Sequence, residues 1–566
     1  MTLRQQARPA AATGTATATA TLEVDVAIVG CGPSGVVLAA LLGQAGITVH
    51  ICDQLPDVYE IPRAISLDHE ILRVFQQIGV IDAVLPHTEP FTNSEFFGVD
   101  GQLIRRMTMV KPPFPQGYTP SLVFTQPQVE RILRARVAAL PCVTMALGVA
   151  MDQFSQDDHG VSLQYADGSR VHAQYAVACD GGASAMRASL GIELEDLDFD
   201  EPWLVVDVLC NPQGLAKLPA TSVQYCEPDR PCTLVIGPGN HRRWEISLQP
   251  GEDLVHAATP ERTWQLLQRW LTPADGQLWR QSSYRFHALV AQTWRAGRVF
   301  LAGDAAHMQP PFLGQGMCQG VRDVTNLSWK LIEVLTNQML GGAAQQLLDS
   351  YGHERKAHVR ELTSRIKGVG AVICERDVVK ARARDAKLLA DCSGVVPDTP
   401  RQDVLPALST GLLFASPGAG TLFPQPRLHS DNGAVLMDQL HGHAWRLVSD
   451  GTQPLQAPAG MRLVDLAVQP EADGVVALWM QRHGAHAAVV RPDHYVFGSA
   501  SDAAGVAALL AAWQQTRQHA PPASATSALH AVTWVVATTA AATIAQAVSH
   551  ADAPAVTQAV AATPQH

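Results

Sequence analysis

"VDVAIVGCGPSG" (Val24–Gly35) sets a six-residue run, apolar but for Asp25, against three glycines spaced GxGxxG. The run Val24–Val29 reads as a buried strand, Ser34–Ala45 as a helix and Thr48–Asp53 as a second strand, which is a β-α-β unit. In that setting Gly30 permits a tight turn, Gly32 lets a pyrophosphate approach the backbone, and Gly35 lets the helix pack closely on the strand. Pro33 and Ser34 open the helix, whose N-terminus would face the phosphates. Asp53 closes the second strand about twenty residues on, where a carboxylate meets a ribose hydroxyl. The expected fold is α/β, with a doubly wound, Rossmann-like sheet holding a dinucleotide.

Two downstream stretches decide which dinucleotide. In "FLAGDAAHMQPPFLGQG" (Phe300–Gly316) a strand over Arg298–Ala302 ends in Gly303-Asp304. Two prolines and a Gly-Gln-Gly turn then keep the chain out of helix until near Met317. A lone carboxylate there suits the ribityl chain of FAD. Gly314 and Gly316 would bring backbone N–H groups to the isoalloxazine edge, and a helix starting near Met317 would stabilise negative charge on reduced flavin. "YAVACDGGAS" (Tyr175–Ser184) is a third apolar run, ending in Asp180-Gly181. Alone it reads as a turn; in series with the other two it reads as part of one site. A nicotinamide enzyme would need only the first unit.

The bulk numbers agree. A chain of 566 residues calls for several domains. With 47% hydrophobic and 16% charged residues and a formal net charge of −11, neither nucleic acid nor an anionic membrane is the expected partner. None of the ten cysteines forms a CxxC pair, so no zinc or dithiol redox site is expected and the thiols read as reduced and cytoplasmic. The expected plan is a disordered tail over 1–21 and a first FAD-domain segment over 22–200, of which 90–120 join a substrate domain. That substrate-binding β-sheet domain follows over 201–285, then a second FAD-domain segment with helices over 286–394. A linker over 395–406, a small α/β domain over 407–519 and a low-complexity tail over 520–566 complete it. Within that tail Ala531–Val548 is uncharged but Ala-rich, closer to a tail or surface helix than to a membrane span.

These motifs, with "GQGMCQGVRDVTNLSWKL" after the GD pair, resemble the single-component flavoprotein aromatic hydroxylases. "PRAISLDHEILR", "VLPHTEPF", "TQPQVERIL" and "VVRPDHYV" are similar to the 3-(3-hydroxyphenyl)propionate hydroxylase subgroup. The resemblance implies FAD as cofactor and NADH or NADPH and O2 as co-substrates. It implies ortho-hydroxylation of a phenolic acid through a flavin C4a-hydroperoxide in aromatic catabolism, with 3-(3-hydroxyphenyl)propionate or 3-hydroxycinnamate as substrate. It further implies that the C-terminal domain is thioredoxin-like without redox cysteines. Another phenol, a resorcinol or a polyketide-type ring is the alternative substrate; a non-catalytic flavin-fold binding protein is the remote alternative. A small aromatic molecule is the expected partner, with a second copy of the chain as the candidate assembly. Only one complete dinucleotide fingerprint is present, since "GPGNHR" and "GVGAVI" lack the third glycine, which suits transient docking of the nicotinamide.

The resemblance also places Arg63 near the flavin and Gln126 against the cofactor. His307 reads as a packed histidine, and Pro311 has a carbonyl that could meet the hydroxylated oxygen. On the substrate sheet Tyr225, Arg243 and His287 are the candidates to bind or ionise the phenol, an arginine pairing with a carboxylate. Asp68 and His69 are alternatives for the base.

Overall fold

The computed structural model describes residues 21–431, 433–518 and 532–535. Strand Leu22–Val29 runs into Gly30, whose φ of 104° only glycine adopts readily. Helix Pro33–Gln44 follows, with Pro33 at its first position, where the missing N–H costs nothing. Strand Val49–Asp53 completes the unit. The helix is buried along Gly35–Gly43, between the sheet and the long helix Gly316–Thr336. Ser34 makes that packing tight: Cβ atoms built on Gly303 and Gly320 would lie 2.7 and 2.3 Å from its Oγ.

Five parallel strands lie side by side in the order Val299–Leu301, Arg170–Ala178, Leu22–Val29, Val49–Asp53, Val143–Leu147. Their register aligns Val29 with both Cys52 and Ala178, and Ala178 with Leu301. All three glycine-carboxylate motifs therefore leave the sheet at one carboxyl edge. Strands Met151–Gln156 and Val161–Tyr165 extend the sheet as a hairpin, and Val532–Val535 pairs with its outer strand. Those four residues correct the expectation of an unstructured tail: a β-branched, Trp-containing stretch finds an open edge. The remainder of 520–566, with most of Ala531–Val548, lies outside the described residues, as do residues 1–20. No helix among the described residues is long and apolar enough to cross a membrane.

A second sheet has the strand order His307–Met308, Gly276–Ala291, Leu194–Cys210, His241–Ser247, Cys232–Ile236, Ser222–Tyr225, Ser94–Phe97, Leu103–Thr108, Asp398–Pro400. Leu194–Cys210 and Gly276–Ala291 run through the expected boundaries at 200/201 and 285/286. One face, with Leu204, Val206, Leu234, Trp244 and Ile246, is covered by the short helices Leu254–Ala257 and Pro260–Leu267. The other, with Phe96, Trp203, Val205 and Phe286, meets Phe312, Leu313 and the helix Gly341–Ile373. The 395–406 segment is not a free linker. Asp398–Pro400 pairs with Leu103–Thr108 at the sheet edge, where prolines are tolerated, and Arg401 is buried.

The C-terminal module has a four-stranded sheet ordered Arg462–Asp465, Arg446–Ser449, Ala487–Val490, Val496–Ala500, parallel across the first pair and antiparallel after it. Helices Val475–His483 and Ala503–Gln518 pack with it. This is a thioredoxin-like arrangement with a loop over 450–461 between its first two strands, and no cysteine follows Cys392.

Candidate active site

At the carboxyl edge of the parallel sheet the backbone is built for close approach. A Cβ on Gly30 would lie 2.3 Å from the Cys179 carbonyl oxygen and one on Gly35 1.9 Å from that of Gly30, whereas Gly32 and Gly316 face open space. Asp53 fixes the loop by accepting from Cys31 N–H at 2.7 Å and Leu55 N–H at 2.8 Å. Asp304 is exposed, and no hydrogen bond or ion pair of its carboxylate occurs among the described residues. Asp180 accepts from Met186 N–H at 3.2 Å through one oxygen, while its buried Oδ1 meets no donor. Burial holds its carboxyl above the usual range.

The GD loop is braced from behind. Asp323, on the long helix, accepts from Gly303 N–H at 3.0 Å and from Arg355 Nε at 2.9 Å, and its Oδ2 lies 2.8 Å from His307 Nε2. His307 is buried and stacks on Trp294, as its packed reading requires. The helix begins at Gly316, one residue before Met317, with buried Gln315 as its N-cap. Gly314, at φ 61°, leaves room for Ser66 Oγ, which donates to its carbonyl at 3.0 Å.

Gln126 is buried at the start of the helix Gln126–Ala138 and clamps the 63–64 loop, accepting from the N–H groups of Arg63 and Ala64 at 2.6 and 2.5 Å. The Arg63 side chain is exposed and leans on Tyr59. One and two turns on from Gln126 stand Glu130 and Arg134, both buried. Arg134 has neither Nε nor Nη1 bonded, and its charge acts on the Cys31 thiol of the glycine loop. Sequence reasoning missed it, although the 126/130/134 spacing was a readable signal. An orphaned guanidinium and an orphaned carboxylate oxygen beside glycines that face open space fit a dinucleotide: Arg134 for an anionic phosphate, Asp304 and Asp53 for hydroxyl groups.

The substrate-sheet candidates fare differently. Tyr225 lies on the helix-covered face, its hydroxyl accepting from Trp270 Nε1 at 3.1 Å, with Arg269 4.7 Å from its ring centre. His287 is half-exposed beside solvent-facing Asp200, 3.8 Å away. Neither lies on the sheet face that meets Phe312. Arg243 does, but its charge is already paired. It bonds Asp207 at 2.7 and 3.0 Å and the carbonyls of Arg63 and Pro62 at 2.8 and 3.1 Å. It ties the two domains together rather than offering a charge to a ligand. The Pro311 carbonyl already accepts from Gly314 N–H at 2.6 Å. Asp68 caps a helix and pairs with Arg322, and burial lowers His69 to about 4. Tyr225 and His287 thus lie on the other face, and Arg243 and Asp68 already hold charged partners.

A parallel sheet whose strand ends carry a glycine turn, a half-bonded Asp180 and an Asp304 without a partner among the described residues has the make-up of an FAD-binding α/β enzyme. The family model described as "FAD binding domain" matches residues 23–366. A probable NADH-specific resorcinol 4-hydroxylase of Rhodococcus jostii (strain RHA1) is 36% identical, over 86% of this chain and 93% of its own length. The 3-(3-hydroxy-phenyl)propionate/3-hydroxycinnamic acid hydroxylase of Escherichia coli (strain K12) is 32% identical, over 84% and 91%. Among solved structures, the flavin-dependent monooxygenase PieE in complex with FAD and substrate aligns with TM-score 0.72 at 20% identity, over 88% of this chain and 99% of PieE. Aklavinone-11 hydroxylase with FAD and aklavinone aligns with 0.70 at 22%, over the same shares. The chain belongs to this FAD-binding family, as an FAD-dependent aromatic hydroxylase that uses FAD, reduced nicotinamide and O2.

Proposed function

We propose that this enzyme ortho-hydroxylates a phenolic acid, with 3-(3-hydroxyphenyl)propionate or 3-hydroxycinnamate as substrate. The observation that carries the reading is Arg105. Its guanidinium is half-buried on the Phe96 face of the second sheet, 5.6 Å from the Phe96 ring centre, with no carboxylate partner among the described residues. Burial lowers its pKa and leaves it in want of an anion. Phe96, Trp203, Phe286 and Phe312 supply walls for an aromatic ring and keep water out.

Bound FAD supplies the redox chemistry: two electrons from the nicotinamide split O2, one oxygen going to the ring and the other to water. The chain's own task is to hold the cofactor through Arg134, Asp304 and the glycine turns, and to present the ring in a dry site. The second reading is resorcinol, favoured by the 36% identity to the resorcinol hydroxylase. The test is oxidation of NADH and of NADPH by the purified flavoprotein with each compound, scoring hydroxylated product against peroxide. Coupled product from the phenolic acids supports the proposal; coupled product from resorcinol alone replaces it with the second reading.

A further inference from the structure

The second sheet carries a row of residues that register places on one face: Arg105 opposite Phe96, Phe96 opposite Gln224, Gln224 opposite Thr233, Thr233 opposite Glu245. Glu245 stands in turn opposite Val205, and Val205 opposite Ser282. Phe96 and Val205 belong to the cluster that contains Phe312, so this face looks at the loop after the GD motif. One register position to one side lies Arg243, holding the 62–63 loop. One position to the other lies Trp203, packed on Phe312 with ring centres 5.6 Å apart. The row thus runs between the two loops that border the cofactor site.

Five members are polar, and among the described residues the two charged ones, Arg105 and Glu245, have no partner. Thr233 Oγ1 donates to Gln224 Oε1 at 2.5 Å. Glu245 is 6% exposed, yet no donor among the described residues reaches its carboxylate. Trp203, fully buried one register step away, has an unbonded Nε1. A buried carboxylate without a donor is costly unless a ligand completes it. Arg243 belongs to Asp207, and burial pushes the Glu245 carboxyl up to about 7 against the pull of Arg243. A carboxylate poised there is half-ionised near neutral pH, where a general base works best.

We propose that Glu245 accepts the proton of the substrate's ring hydroxyl, and that Arg105, four strands away on the same row, takes the anionic group at the other end of that substrate. Their Cα positions are about 19 Å apart at four strand spacings, and the Arg105 guanidinium lies over the ring of Phe96, its neighbour on that row. The O–H bond breaks, its proton passes to a Glu245 oxygen, and its electron pair stays on the ring oxygen. That pair raises electron density at the ortho carbon. The proton returns when the product's oxygen is reprotonated, so Glu245 ends the cycle unchanged. The assignment rests on the phenolic-acid reading only for Arg105; Glu245 would serve resorcinol equally.

The test uses the FAD-loaded enzyme and three ligands: 3-(3-hydroxyphenyl)propionate, 3-phenylpropionate, which lacks the hydroxyl, and resorcinol. Binding is read by calorimetry between pH 5.5 and 8.5. In the wild type, the preference for the hydroxylated acid over 3-phenylpropionate should grow through about pH 7, as Glu245 ionises. Glu245→Gln keeps shape and FAD content; it should make that preference pH-independent and slow hydroxylation by about 10²-fold or more. Glu245→Asp should restore part of both. Arg105→Met should weaken both acids about tenfold or more while leaving resorcinol binding unchanged. A Glu245→Gln enzyme that hydroxylates at the wild-type rate, or keeps the pH-dependent preference, overturns the base. Equal weakening of resorcinol by Arg105→Met overturns the anion site. Failure of the phenolic-acid reading is separable: resorcinol alone would be turned over, and Glu245→Gln would still slow that turnover by about 10²-fold or more.

Discussion

The seam between the FAD domain and the C-terminal module, and the edge where the cofactor and substrate meet, both bury charge, but on opposite terms. At the seam every acid has its cation. Asp438 receives Arg73 at 2.6 and 3.0 Å and also bonds Arg446. Glu354 pairs with Lys330 at 2.8 Å and Arg491 at 2.6 Å, and Glu70 with Arg322 at 2.6 Å and the Tyr495 hydroxyl at 2.9 Å. Arg491, Asp493, His494 and Tyr495 come from the "VVRPDHYV" stretch, which is thus a docking element. At the site edge, among the described residues, Asp304 and Glu245 have no donor and Asp180 has one backbone N–H. Satisfied charges specify architecture; unsatisfied ones wait for a ligand. The same contrast argues against a metal at the seam. Asp438, His443 and His494 lie within ligating distance of one another, but two guanidiniums share Asp438 and Arg446 bonds His494 Nδ1 at 3.0 Å.

The comparison breaks first at Asp438. Burial alone would raise its carboxyl, but Arg73 and Arg446 hold it well below the usual range. Asp438→Asn leaves two buried guanidiniums short of a counter-charge and should cost about 3–5 kcal/mol of folding stability. Denaturant unfolding checks the loss, and the folded fraction should keep its FAD. A loss below about 1 kcal/mol would mean the seam is not held by its charges.

Glu245 gives the next effect, with the opposite pH logic. Its folded pKa of about 7 lies above its ordinary 4.5. Between those values the folded state holds a proton that the unfolded chain has lost, so stability is present below pH 4.5 and falls as pH rises to 7. Wild type should therefore lose up to about 3 kcal/mol relative to Glu245→Gln across that window. Unfolding curves of both at pH 5 and pH 7.5 measure it; parallel behaviour would place a hidden partner on Glu245.

Asp304→Ala should leave stability nearly intact while FAD binding weakens about ten- to a hundredfold. Flavin absorbance retained through gel filtration reads this directly. Full retention would remove Asp304 from the cofactor site and with it one unsatisfied acid from the comparison.

What the sequence made legible is what the backbone encodes locally. GxGxxG, Asp53, Asp180-Gly181 and Gly303-Asp304 each end a strand, and parallel strands must bring those ends to one edge. The substrate face was not legible in the same way. In "HRRWEIS" the alternation of Arg243 and Glu245 with Trp244 and Ile246 is visible, but which side looks at the flavin depends on pairing with residues 94–97, far along the chain. A shift of one residue exchanges the faces, and it is Gln224, not its neighbour Tyr225, that shares the face of Arg243 and Glu245. Arg243 lies on the right face, yet its partner Asp207 sits on the adjacent strand, invisible to local reading.

Tyr225 therefore sharpens the comparison from its quiet side. Its hydroxyl accepts one hydrogen bond from Trp270, and its ring is packed among Trp270, Arg269 and the helix-covered cluster. Tyr225→Phe removes that acceptor and nothing that faces the flavin. The expected cost is about 1 kcal/mol of stability or less, with kcat, coupling and the pH profile of hydroxylation unchanged. A phenol that lost ionisation in this variant would mean the ring binds on the helix-covered face, and the row from Arg105 to Glu245 would then be packing alone.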